Sequence, residues 1–286
     1  MLLVNKRVSE LSLKPSKTVF CLGIISILLG LALSSGTIIR WFYSIENFNE
    51  ELIEVNTGVD KTVMPKRFSL IVWNIYKAQL FPQHPLPFSP YDYDFALLQE
   101  DYFPLNEERH QSFKRKGWNY FWPAFKMKDS LYGTSIFSKI RPGQIKGYNS
   151  LDREPLVNTP KSFISIDLED LRLLNIHALN FVGFEAWKKQ IDHLLEQTQG
   201  KTYVIAAGDF NTSSKKRFDY LHLKMKENGL SEVVFNNDSR VVFEDYPVDY
   251  VFARGLTLKS AEVMNLPNFS DHNPMEVVFE IKEDPN

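Results

Sequence analysis

Six short strings set acidic, amide and imidazole side chains beside apolar runs. They are Trp73-Asn74, Leu98-Gln99-Glu100, Asn175-Ile176-His177, Gly208-Asp209-Phe210-Asn211, Val248-Asp249-Tyr250 and Ser270-Asp271-His272-Asn273-Pro274. Each polar group follows or borders an apolar stretch of strand character, so the groups can converge on one rim of a sheet. Such a rim would hold three or four carboxylates, two histidines and two carboxamides. Oxygen-rich donors of this kind suit Mg²⁺ or Mn²⁺ and not zinc. Taken singly, each string has a plain explanation. An asparagine after a strand is ordinarily a turn residue. Glu100 fits a solvated strand end, Asp209-Phe210-Asn211 a helix cap, and His177 a hydrogen-bonded, partly buried imidazole. Their order along the chain is what gives them weight.

The elements that must position these groups are legible as short apolar runs separated by turn signals. Residues 68–73, 94–98, 134–137, 162–168, 171–176, 202–207, 249–253 and 275–281 read as strands. Helical spacing occurs twice, in Phe184, Trp187, Ile191, Leu194 and Leu195, and in Phe218, Leu221 and Met225. Many strands with few helices predict an α/β layered domain with extensive antiparallel pairing. Residues 78–92 carry four prolines and read as an extended loop. The aromatic cluster of Trp118, Tyr120, Phe121, Trp122 and Phe125 reads as sheet core in preference to a base-stacking platform. His193 and His222 fall on the amphipathic helices and read as solvent-facing. Lys215, Lys216 and Arg217 fit equally a solvated helix start and a contact to a substrate phosphate.

The N-terminus differs from everything after it. Residues 18–39 carry no charge and, as a helix, would span about 33 Å, one hydrocarbon core. Lys6, Arg7, Lys14 and Lys17 precede this run against Glu10 alone, whereas Glu46, Glu50, Glu51 and Glu54 follow it with Arg40. The positive-inside rule puts residues 1–17 in the cytoplasm and the remainder across the membrane, in the periplasm. Ala32-Leu33-Ser34 offers a signal-peptide alternative, although the apolar run is long for one. Residues 40–65 are polar and acidic without clear periodicity and read as a linker. The 286-residue chain has 33 basic and 35 acidic side chains, and residues 66–286 retain 27 against 29. This near-neutral balance lacks the basic footprint of a tight duplex-DNA binder. The single cysteine, Cys21, excludes an intramolecular disulfide framework and cysteine-based zinc sites.

In sequence, WN, LQE, NIH, GDFN, VDY and SDHNP resemble the ordered signature of the endonuclease/exonuclease/phosphatase superfamily over about residues 66–282. The longer strings VWNIYK, NIHALNF and SDHNP are most similar to an uncharacterised bacterial branch of it. The resemblance implies a DNase I-like, four-layer α/β/β/α sandwich, here preceded by one transmembrane helix. It implies that Asn74, Glu100 and Asp271 hold the metal, that Asp209 orients or deprotonates the attacking water, and that Asn211 contacts the phosphate. By the same resemblance His272 is the catalytic histidine, Asp249 fixes its tautomer, and His177 donates to the scissile phosphate. One position departs from the DNA-repair members, which usually carry an acidic residue two positions after the first-strand asparagine; here it is Tyr76.

The chemistry holds together without the family name. A phosphodiester is anionic, so a divalent cation must screen it before a nucleophile approaches. Charge that builds on non-bridging oxygens can be met by Asn211 and His177. Asp209 can accept a proton from water, and His272 paired with Asp249 stays protonated more readily. The set describes metal-assisted in-line hydrolysis. Three functions remain: an anchored phosphodiesterase, nuclease-like or otherwise; a phosphatase or phospholipase-type hydrolase of lipid headgroups or small molecules; and a non-catalytic binding domain. The intact acid, amide and histidine set argues against the third, and no protein partner is inferable.

Overall fold

Apolar runs that bury both faces belong inside a stack of sheets and not on its surface. Strand β3 (Arg67–Asn74) is of this kind, with Leu70, Ile71, Val72 and Trp73 all buried. The structure is a computed structural model that describes residues 45–46, 51–56, 63–76, 88–105, 117–155, 157–266 and 269–281. The apolar segment 18–39 lies outside the described residues, among which no helix is long and apolar enough to cross a membrane.

One eight-stranded sheet contains β1 (Ile45–Glu46), β2 (Ile53–Asn56), β3, β4 (Phe95–Pro104), β5 (Trp118–Met127), β6 (Ser130–Ser138), β15 (Leu256–Val263) and β16 (Met275–Ile281). Its order is β1-β5-β6-β4-β3-β16-β15, with β2 also on β5. A six-stranded sheet contains β7 (Gln144–Asn149), β8 (Ser162–Leu168), β9 (Leu171–His177), β10 (Tyr203–Asp209), β11 (Ser231–Glu232) and β14 (Asp249–Arg254), in the order β11-β14-β10-β9-β8-β7. A small hairpin joins β12 (Val242–Phe243) to β13 (Tyr246–Pro247). Leu70, Val72, Leu97 and Val277 from the first sheet pack with Ile164, Leu173, Ile205 and Val251 from the second, so the main core lies between the sheets. Helices α1 (Phe184–Glu196) and α2 (Lys215–Glu227) cover the outer face of the six-stranded sheet, where Trp187, Ile191, Leu221 and Met225 meet Leu174, Val204 and Phe252. On the outer face of the other sheet, Trp73 and Phe137 pack against Phe88 and Tyr91. This is the DNase I-like sandwich.

Several strands lie outside the predicted runs, among them β5, β7, β15 and the two-residue β11, β12 and β13. β7 is largely polar and only half buried, β15 carries Lys259, Ser260 and Glu262, and β5 contains Pro123. The segment read as linker also departs from expectation. Ile45 and Glu46 pair with Met127 and Lys126, and Ile53–Asn56 pairs antiparallel with β5. Ile53 and Val55 pack on Phe103, Phe121 and Leu131. The alternation of Ile53 and Val55 is too brief to stand out as a periodic signal. The aromatic cluster 118–125 is sheet core as expected, with Trp118, Tyr120 and Phe121 buried.

Candidate active site

Strand register assembles the site. β9 and β10 run parallel with Asp209 opposite His177, and β14 runs antiparallel on the other side with Asp249 opposite Asp209. In the facing sheet β3 and β4 are parallel and bring Asn74 beside Gln99, so Glu100 follows at the same end. Glu100 sits where the β4–β6 register slips and adopts φ +50°, a left-handed conformation unusual for a residue other than glycine. Tyr76 (φ +48°) and Asn211 (φ +49°) share it. Such strain concentrates at functional sites because the surrounding fold must enforce it. Gly208 is fixed by space as well as by conformation: its φ is +132°, and an added Cβ would lie 2.1 Å from the Ile176 carbonyl oxygen. Only glycine fits ahead of Asp209.

Asp209 is the centre of the group and is 2% exposed. Asn74 Nδ2 donates to its Oδ2 at 3.2 Å, and the Asn211 backbone N–H donates to its Oδ1 at 3.0 Å. His177 Nε2 lies 3.5 Å and His272 Nε2 3.9 Å from Oδ2. His272 Nδ1 is 2.7 Å from Asp249 Oδ2, the geometry of a carboxylate that orients an imidazole. His177 Nε2 is also 3.9 Å from Glu100 Oε1. Ser270 ties the last motif to the first: its hydroxyl donates to the Asn74 carbonyl at 2.6 Å and accepts from the His272 N–H at 3.1 Å.

The electrostatics follow from burial. Burial pushes the Asp209 carboxyl well above the usual range and the Asp249 charge adds to this, while the charges of His272 and Lys161 pull the other way. For His272, burial favours the neutral ring, but the charge and hydrogen bond of Asp249, with Asp209 and Asp271, outweigh it and raise the imidazole to about 10. His272 is therefore a cation at neutral pH.

Of the residues expected to act together, Asn74, Asp209, His177, Glu100, His272 and Asp249 lie in one connected cluster. Asn211 reaches it through its backbone N–H, but its side chain donates away, to the Ala178 carbonyl at 2.9 Å. Asp271 is exposed beside the cluster, its Oδ1 3.3 Å from Ser270 Oγ. Asp209, Asp249 and His272 also place ligand atoms within 4.8 Å of one another. Asp249 and His272 already satisfy each other; of the residues expected to hold a metal, Asn74 turns its carboxamide nitrogen to Asp209 and accepts the Tyr76 N–H on its oxygen at 3.1 Å, while Glu100 and Asp271 offer carboxylates. Two carboxylates and a carboxamide fit a hard divalent cation.

Other residues fall differently from expectation. Lys215 pairs with Asp219 and Lys216 lies over the Phe184 ring at 3.8 Å. Arg217 is neither a solvated helix start nor a phosphate contact: it is buried and donates to the carbonyls of Leu179, Asn211 and Val182. His193 packs edge-on to Tyr148 and Phe163. His222 bonds Glu232 at 2.8 Å, so both helical histidines are half-buried and not solvent-facing. Lys161 carries no motif that singles it out. Its side chain is only 14% exposed, 3.6 Å from Glu154 Oε2, and it acts on Asp209. His84 and His110 lie outside the described residues.

Two stacked mixed sheets with acids, amides and paired histidines at one edge define the DNase I-like class of fold. The family model described as "Endonuclease/Exonuclease/phosphatase family" matches residues 71–272, and the chain belongs to that family, whose members are in general hydrolases of phosphate esters. A UPF0294 protein of Vibrio parahaemolyticus is 34% identical over 231 residues, covering 75% of this chain and 78% of its own length; these relatives form an uncharacterised bacterial branch. Among solved structures, an endonuclease/exonuclease/phosphatase protein from Beutenbergia cavernae superposes with a TM-score of 0.58 at 16% identity, covering 76% of this chain and 72% of that one. A 3′ phosphatase from Neisseria bound to a product DNA hairpin gives 0.52 at 14% identity, over 76% of this chain and all of that one.

Proposed function

We propose that the chain is a divalent-cation-dependent phosphodiesterase that hydrolyses its substrate by in-line attack of water. The observation that carries this reading is the register-built cluster in which Asp209 faces both His177 and the Asp249-paired His272. Asp209, with a pKa raised by burial, is suited to accept a proton from water near neutral pH. His272 holds its proton through Asp249 and presents Nε2 as a charged donor to the phosphate. His177, 3.5 Å from Asp209, supplies a second imidazole donor. Asn211 holds Asp209 in place from its backbone. A cation held by Asn74, Glu100 and Asp271, Mg²⁺ or Mn²⁺ by donor chemistry, would screen the phosphate charge. Nucleic acid belongs among the substrates to test because the Neisseria neighbour is bound to DNA, and lipid headgroups belong there because the N-terminal segment reads as a membrane anchor with the catalytic region in the periplasm.

The test uses the purified full chain with Mg²⁺ or Mn²⁺ on bis-p-nitrophenyl phosphate, plasmid DNA, RNA and phospholipid. Asp209→Ala and His272→Ala should each lower kcat by about 10²–10⁴, and EDTA should remove activity. Turnover that survives both substitutions, or that ignores EDTA, overturns the proposal.

A further inference from the structure

A cavity of about 400 Å³ lies against the acid cluster, and Glu100 and His177 line both. Beyond these two, its lining sets aromatic and aliphatic side chains against the polar Glu154, Thr159, Lys161 and Ser162. Phe125 and Met127 come from β5 and Tyr132 from β6, with Tyr76 at the end nearest Asn74. The Phe125 and Tyr132 rings stack with centroids 5.4 Å apart at 16°. Phe181 lines the same cavity and is 68% exposed. Lys161 is the lone cation of the lining among the described residues. Buried Glu154 holds it, and Glu154 is itself held by the Asn180 N–H at 2.9 Å.

We infer that this cavity receives the alcohol part of the phosphoester, and that this part is apolar, so that the substrates are hydrophobic phosphoesters with Lys161 facing the phosphate charge. The inference rests on the phosphoesterase reading above. A phosphate at the Asp209 cluster must send its ester substituent into an adjoining space, and the cavity shares two residues with that cluster. Its volume falls within the range of small-molecule subsites, roughly 300–1,000 Å³. Against Phe125, Met127, Tyr132 and Phe181 a polyhydroxylated or charged headgroup would shed water and recover few hydrogen bonds, whereas an aromatic ring or alkyl segment gains by the same transfer. Tyr76 contributes a further ring to this lining. A duplex would instead require a track of cations along its backbone, and this lining has one lysine.

Phosphonates resist hydrolysis, so their binding separates recognition from turnover. The full chain in Mg²⁺ buffer is titrated with methylphosphonate, phenylphosphonate, octylphosphonate and thymidine 5′-monophosphate. Phenyl- or octylphosphonate should bind about ten-fold more tightly than methylphosphonate, and whichever leads tells whether the pocket prefers a ring or a chain. Phe125→Ala should bring that ratio toward one. So should Phe181→Ser, which changes an exposed side chain and leaves folding intact. Phe243→Ser, an exposed apolar residue on the β12–β13 hairpin and absent from the lining, should keep the ratio. Equal affinity for methyl and apolar phosphonates, a ratio that survives both cavity variants, or thymidine monophosphate binding most tightly would each overturn the inference. If the apolar preference is present yet no ester is cleaved, the phosphoesterase reading fails and the cavity assignment stands.

Discussion

Asp209 is a buried carboxylate, and a buried carboxylate is tolerated only where donors and cations surround it. Asn74, Asn211, His177 and His272 do so from different strands and loops. Each was legible because an apolar run ends in a polar residue of distinct chemistry, and the sequence order of the six motifs leaves little room for another arrangement. Arg217, Glu154 and Lys161 were not legible, because their roles depend on loops that meet only in the folded chain. Arg217 braces the backbone on both sides of the site, at Leu179, Val182 and Asn211. Burial lowers its guanidinium to about 10, still charged at neutral pH, so the three carbonyls and the Trp187 ring must compensate it. Arg217→Met keeps much of the volume but leaves those carbonyls without their donor. It should cost about 2–4 kcal/mol, read as a lower urea midpoint. An unchanged midpoint would show that the brace is dispensable.

Central strands, buried on both faces, declare themselves by apolar runs. Edge strands such as β7 and β15 need only one apolar face, and β11 is two residues long, so sequence periodicity passes over them. β11 is held instead by a cross-element link. His222 of α2 meets Glu232 of β11, and Arg240 binds the same carboxylate at 3.0 Å. Burial alone would lower the His222 pKa, but Glu232 and the Phe218 carbonyl reverse that and raise it above 6.5. Burial raises Glu232, and His222 with Arg240 brings it below 4.5. A histidine raised on folding stabilises fully below its unfolded pKa, and the contribution is lost as pH rises through the folded value. The glutamate's share is lost at the acid end. The stability gap between wild type and His222→Gln should therefore be near 1 kcal/mol at about pH 6 and smaller at about pH 9, measured by urea unfolding at both. A gap that widens with pH would mean that the pair acts through packing and not through charge.

At the scale of the whole molecule, the pairing of β1 and β2 with β5 changes what the N-terminal segment can do. The sequence alone allots residues 40–65 to a linker, which could let the catalytic region swing far from a membrane. With Ile45 and Glu46 in the sheet, only residues 40–44 remain between the apolar run and the fold, a reach of at most about 18 Å. An anchored chain of this kind would work on substrates at or near the bilayer surface, which accords with an apolar subsite beside Glu100 and His177 and with the absence of a net basic charge. The charge asymmetry around residues 18–39 predicts that this surface is the periplasmic one. A phosphatase reporter fused after Asn286 should then be active in intact cells, while a reporter that needs the cytoplasm should stay dark at the same position. Exchanging Lys6, Arg7, Lys14 and Lys17 for glutamine should weaken that orientation, because these four residues carry the bias. A reporter that is active only in the cytoplasm would place the catalytic region on the other face, and the lipid-proximal substrates would have to be sought in the inner leaflet.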